Sequence, residues 1–63
     1  MTCTGKELCR LLKEAGWECA RVKGSHHIFK KPNVPYLITV PVHGNQSVKP
    51  GLLNRILKDA GLK

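Results

Sequence analysis

Helical periodicity at both ends of the chain, with strand-like alternation between them, constrains the fold of this sequence more than any other feature. The first apolar stripe repeats at the spacing of one helix face and consists of Leu8, Leu11, Leu12 and Ala15. The second stripe consists of Leu52, Leu53, Ile56, Leu57 and Ala60. Each stripe needs an apolar surface to pack on, and a sheet formed by the central segment is the obvious one.

Capping signals mark where the two helices start and stop. Thr4-Gly5-Lys6-Glu7 matches a capping box, which predicts a first helix from about residue 5 to residue 15. Ser47 is expected to cap the second helix, whose first turn tolerates Pro50 because amides there lack intrahelical partners. The glycines suited to end the helices are Gly16 and Gly61.

The segment between the helices is predicted to form three short strands. Trp17–Val22 has aromatic and β-branched ends typical of a strand, Lys23–Ser25 is a tight turn, and His26–Lys31 is the second strand. A proline-rich break at 32–35 separates it from a third strand at Tyr36–Val42. Short connections make an antiparallel meander the simplest arrangement of the three.

The resulting order is α-β-β-β-α, which predicts an α+β fold with two helices on one face of a three-stranded antiparallel sheet. The double-stranded RNA-binding domain has the same order of elements, although order alone carries no function. Residues 1–63 are expected to form a single domain, since no linker, repeat or low-complexity segment divides them.

The charge balance points to a polyanionic partner. Eleven Lys or Arg residues against four Asp or Glu give a formal net charge of +7, which favours nucleic acid first and an anionic membrane surface second. No apolar run approaches 20 residues, and no signal-peptide pattern begins the chain. Membrane insertion is therefore not expected, and the predicted location is the cytoplasm.

The cysteines do not predict a metal or redox site. Cys3, Cys9 and Cys19 have no C-x-x-C spacing, so reduced thiols are expected, with Cys9 and Cys19 acting as small buried apolar residues. A zinc site built from the three histidines is disfavoured because neighbouring strand residues diverge and no Cys pair completes the ligand set. No metal and no cofactor are predicted.

The histidine pair after Gly24-Ser25 is the main candidate for chemistry. With an ordinary pKa of about 6.5, the imidazole of His26 can accept or donate a proton near neutral pH during RNA cleavage. The alternative is a strand histidine whose ring binds a backbone carbonyl. His27 should face the other way and pack partly buried against a helix. His43 either contacts a base or phosphate or makes one loop hydrogen bond.

Several residues could hold a phosphate backbone. The turn residues Gly24 and Ser25 offer amides and a hydroxyl, and a helix N-terminus near Lys49 attracts anions. A solvated cationic surface is the alternative. Trp17 and Tyr36 are expected to pack rather than to stack on bases. The predicted RNA-binding residues are Lys23, Gly24, Ser25, Lys30, Lys31 and Lys49.

Three segments in order resemble the HicA family of bacterial toxins. They are the segment Lys23 to Phe29, the segment Val40 to Gly44, and the segment Lys49 to Leu62. Together the three segments cover much of the chain after the first helix. The resemblance extends over nearly the whole chain. Three motifs in this order are far more specific than any one of them.

The resemblance implies the double-stranded RNA-binding-like fold, metal-independent cleavage of mRNA that arrests translation, and neutralisation by a HicB-like antitoxin. The family's catalytic histidine follows Gly-Ser, which corresponds to His26. A rival hypothesis is an RNA-binding module that blocks translation by occupancy without cleavage. A third is a structural subunit of a larger complex.

Overall fold

The computed structural model describes residues 3–63 and confirms the predicted order and fold class. The helices are α1 (Gly5–Glu14) and α2 (Pro50–Asp59), and the strands are β1 (Glu18–Lys23), β2 (His26–Lys30) and β3 (Ile38–Pro41). The strands form one antiparallel sheet in the order β1-β2-β3. Neither helix in the described residues has the length and apolar character needed to cross a membrane.

Both ends of α1 are capped as the sequence predicts. The Thr4 hydroxyl accepts from the Glu7 amide at 3.2 Å, and the Glu7 carboxylate accepts from the Thr4 amide at 3.1 Å. Gly16, at φ 97°, ends the helix. The amide of the next residue, Trp17, donates to the Leu12 carbonyl at 2.9 Å, completing a Schellman motif.

Thr4→Ala is expected to lower the free energy of unfolding by about 1 kcal/mol, because it removes the side-chain acceptor for an otherwise unpaired helix amide. Chemical denaturation monitored by circular dichroism measures this loss. Ser47→Ala is the matched control, since Ser47 contributes no side-chain cap to α2. Equal losses in both variants would contradict the assignment of the cap.

A two-residue turn, Gly24-Ser25, joins β1 to β2 in a hairpin. Lys23 pairs with His26 across the turn, and Gly24 has φ 61°, a left-handed conformation that favours glycine at the first turn position. The Val42 amide donates to the Ser25 carbonyl at 2.7 Å, which fixes the turn to the chain that follows β3.

A bulge divides β1. Cys19 pairs with Phe29 and Arg21 with Ile28, so Ala20 is the extra residue. The extra residue shifts the alternation, so that Cys19 lies on the same face as buried Phe29 instead of the opposite one. We call the face bearing His27 and Phe29 the inner face, and the face bearing His26 and Ile28 the outer face.

The core lies between the inner face and the helices. α1 packs against β1 and β3, and α2 packs against β3. The largest side chains with no solvent exposure are Phe29, Leu8, Leu12 and Val40. Cys9 is buried as expected, but Cys19 is exposed, so the expectation for Cys19 was wrong. α1 lies toward β3 and leaves much of the inner side of β1 exposed.

The structure corrects three local predictions. Trp17 precedes β1 rather than opening it and is buried, 3% exposed, with its indole N–H donating to the Ala60 carbonyl at 3.4 Å. Tyr36 precedes β3 and is half exposed, and its hydroxyl donates to the Asp59 carbonyl at 2.6 Å. Ser47 does not cap α2: the N-cap is Lys49, without a side-chain cap, and Ser47 forms a bridge with Thr4.

Candidate functional site

His26 is the first residue of β2 and lies on the outer face at the end of the sheet. Its register partners are Lys23 on β1 and Pro41 on β3. The residue is exposed, and neither helix covers this face. His26 and His27 lie on opposite faces, as strand alternation predicts, because both pair in register with β3 at Pro41 and Val40.

Arg21 adds a second cation to this end of the outer face and was missed in the sequence analysis. It pairs with Ile28, two residues along β2 from His26, and it is exposed on the same face as Lys23. A signal for it existed. With a two-residue turn at Gly24-Ser25, antiparallel pairing from the turn puts Arg21 opposite Ile28. The bulge lies farther from the turn and does not change this pair.

The turn leaves space for a ligand beside His26. A Cβ placed on Gly24 would meet no atom within 4 Å, so glycine is needed here for its positive φ and not because of crowding. Ser25 is half-buried, and its carbonyl is occupied by the Val42 amide. The hydroxyl of Ser25 and the open surface over Gly24 therefore remain candidates for contacts with phosphate.

His43 and Lys49 lie beside the same end of the sheet. They line a surface hollow of about 320 Å³ together with Pro41, the register partner of His26. The side chains in this hollow include a second imidazole and the cation at the N-terminus of α2. Two of the predicted residues, Lys23 and Lys49, are thus brought to the end of the sheet where His26 lies.

Lys30 and Lys31 lie at the other end of β2. Lys30 is four residues from His26, about 13 Å along an extended strand, and its register partner is Glu18. The Lys31 ammonium lies 6.0 Å from the centroid of the Trp17 ring, at cation–π distance. The structure therefore does not bring these two lysines together with His26.

His27 is half-buried on the inner face, in agreement with the prediction that it packs toward a helix. It lines a groove of about 400 Å³ between α1 and β1. This groove was not predicted from the sequence, and neither were its three cations, which are Lys6, Arg10 and Lys13. Their helical spacing, beside the buried stripe, was the available signal.

The four carboxylates occupy other parts of the fold. Glu7 belongs to the capping box, Glu14 lies 3.6 Å from Arg10, Glu18 is opposite Lys30, and Asp59 ends α2. The end of the sheet around His26 is therefore cationic. Within residues 3–63, no group of three or more His, Cys, Asp or Glu residues is placed to hold a metal ion.

These features define a small basic protein with the double-stranded RNA-binding-like layout and an exposed histidine at the end of its open sheet face. A family described as "HicA toxin of bacterial toxin-antitoxin" matches residues 5–62. The chain belongs to the HicA toxin family. It is a toxin of a toxin–antitoxin family, and its partner is an antitoxin. A comparison with curated proteins gave no match.

Proposed function

We propose that this toxin is an endoribonuclease that cleaves mRNA and so arrests translation in the cytoplasm. The observation that carries the proposal is the position of His26, exposed at the end of the outer face with Lys23 and Arg21 on the same face. An imidazole can move a proton near neutral pH, and adjacent cations attract the phosphodiester on which it acts.

The proposed reaction uses the RNA's own 2′-hydroxyl as the nucleophile. His26 accepts the 2′-hydroxyl proton while that oxygen attacks the neighbouring phosphorus, and the bond from phosphorus to the 5′-oxygen breaks. The 5′-oxygen leaves as a hydroxyl after taking a proton from water or from a second group. Lys23 and Arg21 stabilise the negative charge that builds on the phosphoryl oxygens.

The products of this reaction have defined ends. Cleaved RNA is expected to carry a 2′,3′-cyclic phosphate or 3′-phosphate and a 5′-hydroxyl, and cleavage is expected to continue in EDTA. A substrate with a 2′-O-methyl group at the cleaved nucleotide should not be cut. Mass spectrometry of the products distinguishes the outcomes. Products with 3′-hydroxyl and 5′-phosphate ends would rule out attack by the 2′-hydroxyl.

We also propose that the antitoxin is HicB-like and acts by occlusion. A partner with acidic side chains and an apolar anchor fits the cationic end of the sheet and would exclude RNA by competition. Lys23, Arg21 and Lys49 provide the complementary charge. A complex structure in which His26 stays open to solvent would count against this mode of control.

A further inference from the structure

The groove between α1 and β1 lies on the opposite side of the sheet from His26. Three cations of α1, Lys6, Arg10 and Lys13, line it, and they succeed one another over about 10 Å of the helix axis. Its other lining residues are apolar or weakly polar, apart from one imidazole: Cys9, Cys19, His27, Phe29 and Val42. The groove thus combines an apolar floor with a row of positive charge.

The position of α1 explains why the groove is open. A Cβ on Gly5 would lie 2.9 Å from the Val42 Cα, so the start of α1 sits directly on the chain after β3. Part of the inner side of β1 is therefore exposed, and Val22 there is 55% exposed. The bulge at Ala20 places Cys19 in the groove.

The cations of the groove are available to a ligand. Within residues 3–63, Arg10 pairs with Glu14 at 3.6 Å, and their side chains are 82% and 64% exposed. Such an exposed ion pair is weak, so Glu14 competes poorly with a phosphate for Arg10. Among the described residues, the three cations of the groove are paired with one carboxylate only, which suits an anionic ligand. The apolar floor suits a ligand that also has a flat, apolar portion.

The groove is connected to the His26 site through the hairpin turn. Val42 lines the groove, and its amide donates to the carbonyl of Ser25, the residue before His26. His27, which also lines the groove, is the next residue after His26, with Cα atoms about 3.8 Å apart. An RNA strand that leaves the groove and crosses the Gly24 turn would therefore reach the outer face beside His26.

We propose that this groove binds a nucleotide of the RNA strand next to the scissile linkage, with phosphates on Lys6, Arg10 and Lys13 and the base on the floor beside His27. Aromatic rings, histidine among them, and Arg guanidinium planes are common stacking surfaces for unpaired bases. The inference rests on the proposed function, since it identifies the substrate as single-stranded RNA that passes around the hairpin turn.

Binding of a 2′-O-methylated single-stranded oligoribonucleotide of mixed sequence tests the groove without cleavage. The variant Lys6→Gln/Lys13→Gln is expected to bind about tenfold more weakly, and the salt dependence of log affinity should fall by about 1.4 for two lost phosphate contacts. Lys58→Gln/Lys63→Gln is the matched control, because it removes the same charge from a different hollow, which Lys58 and Lys63 line. Equal losses in both variants would overturn the proposal.

The thiol of Cys19 gives a direct readout of occupancy. It is exposed and lines the groove, whereas Cys3 and Cys9 are buried. Burial raises the pKa of the Cys9 thiol, and the neighbouring Cys19 raises it further. Burial also raises the pKa of Cys3, so both should alkylate slowly. Saturating oligonucleotide is expected to slow iodoacetamide modification of Cys19 at least fivefold.

Two outcomes of the alkylation experiment would overturn the proposal. One is an unchanged Cys19 rate while the oligonucleotide is bound. The other is protection by the antitoxin but not by the oligonucleotide, which would assign the groove to the protein partner. Because the probe cannot be cleaved, these results are independent of the cleavage assay. A catalytically inactive protein that still shows protection would refute the proposed reaction and support the groove.

Discussion

Gly5→Ala is expected to lower the free energy of unfolding by about 2–3 kcal/mol, although alanine is the better helix former. A Cβ on Gly5 would overlap the Pro41 carbonyl oxygen and would lie 2.9 Å from the Val42 Cα. Both are backbone atoms, which cannot move aside as the end of a flexible side chain can. The substitution must therefore push α1 away from the sheet.

Gly51→Ala is the matched control for this prediction. Gly51 also lies in the first turn of a helix, but a Cβ there would meet no atom within 4 Å. Alanine is expected to stabilise the protein by up to about 1 kcal/mol at this position, through lower entropy of the unfolded chain. Urea denaturation of both variants compares the two effects. Stabilisation by Gly5→Ala would contradict the close contact between α1 and the chain after β3.

Local sequence signals predicted much of the fold. The capping box at Thr4 and the glycine at position 16 define α1 because they act within one helical turn of the chain. Alternation also placed His26 and His27 on opposite faces, since a regular strand leaves no other arrangement.

Features that depend on contacts distant in sequence were not predicted. The bulge at Ala20 has no sequence signature, and it exposes Cys19 in the groove. Lys31 is drawn to the Trp17 ring, and Ser47 bridges to Thr4 instead of capping α2. Each of these features depends on how α1 and the sheet are placed relative to each other, and no local sequence pattern encodes that placement.

In the candidate site, too, the residues with local sequence signals were predicted and those placed by distant contacts were not. His26, Lys23 and Lys49 were identified from motif and charge, and the fold brings them to one end of the sheet. The cations of the α1 groove were not predicted, because their proximity to β1 follows from helix placement. The predicted roles of Lys30 and Lys31 in RNA binding stay predictions, and both lie away from His26.

His26→Ala is expected to have the largest effect on function. Loss of a general acid or base costs about 10²–10⁴-fold in rate. The side chain is exposed and lies outside the core, so its removal should leave the unfolding free energy and most of the RNA affinity unchanged. Thr39→Ala is the matched control, since Thr39 is exposed on the same face and cannot move a proton at neutral pH.

Growth arrest in cells separates cleavage from occupancy. The cleavage account expects His26→Ala to abolish arrest. If the protein acted only by occupying RNA, arrest would survive that substitution and would instead be lost when the lysines of the RNA-binding surface are neutralised. The lysines to neutralise are Lys23, Lys30, Lys31 and Lys49.

The most direct test is the single-turnover cleavage rate of one RNA substrate by the wild-type protein and by His26→Ala, with both proteins shown to be folded and saturated with RNA. The account predicts a fall of at least about 10²-fold in the variant. Cleavage by the variant at the wild-type rate would show that the His26 imidazole does not move the proton.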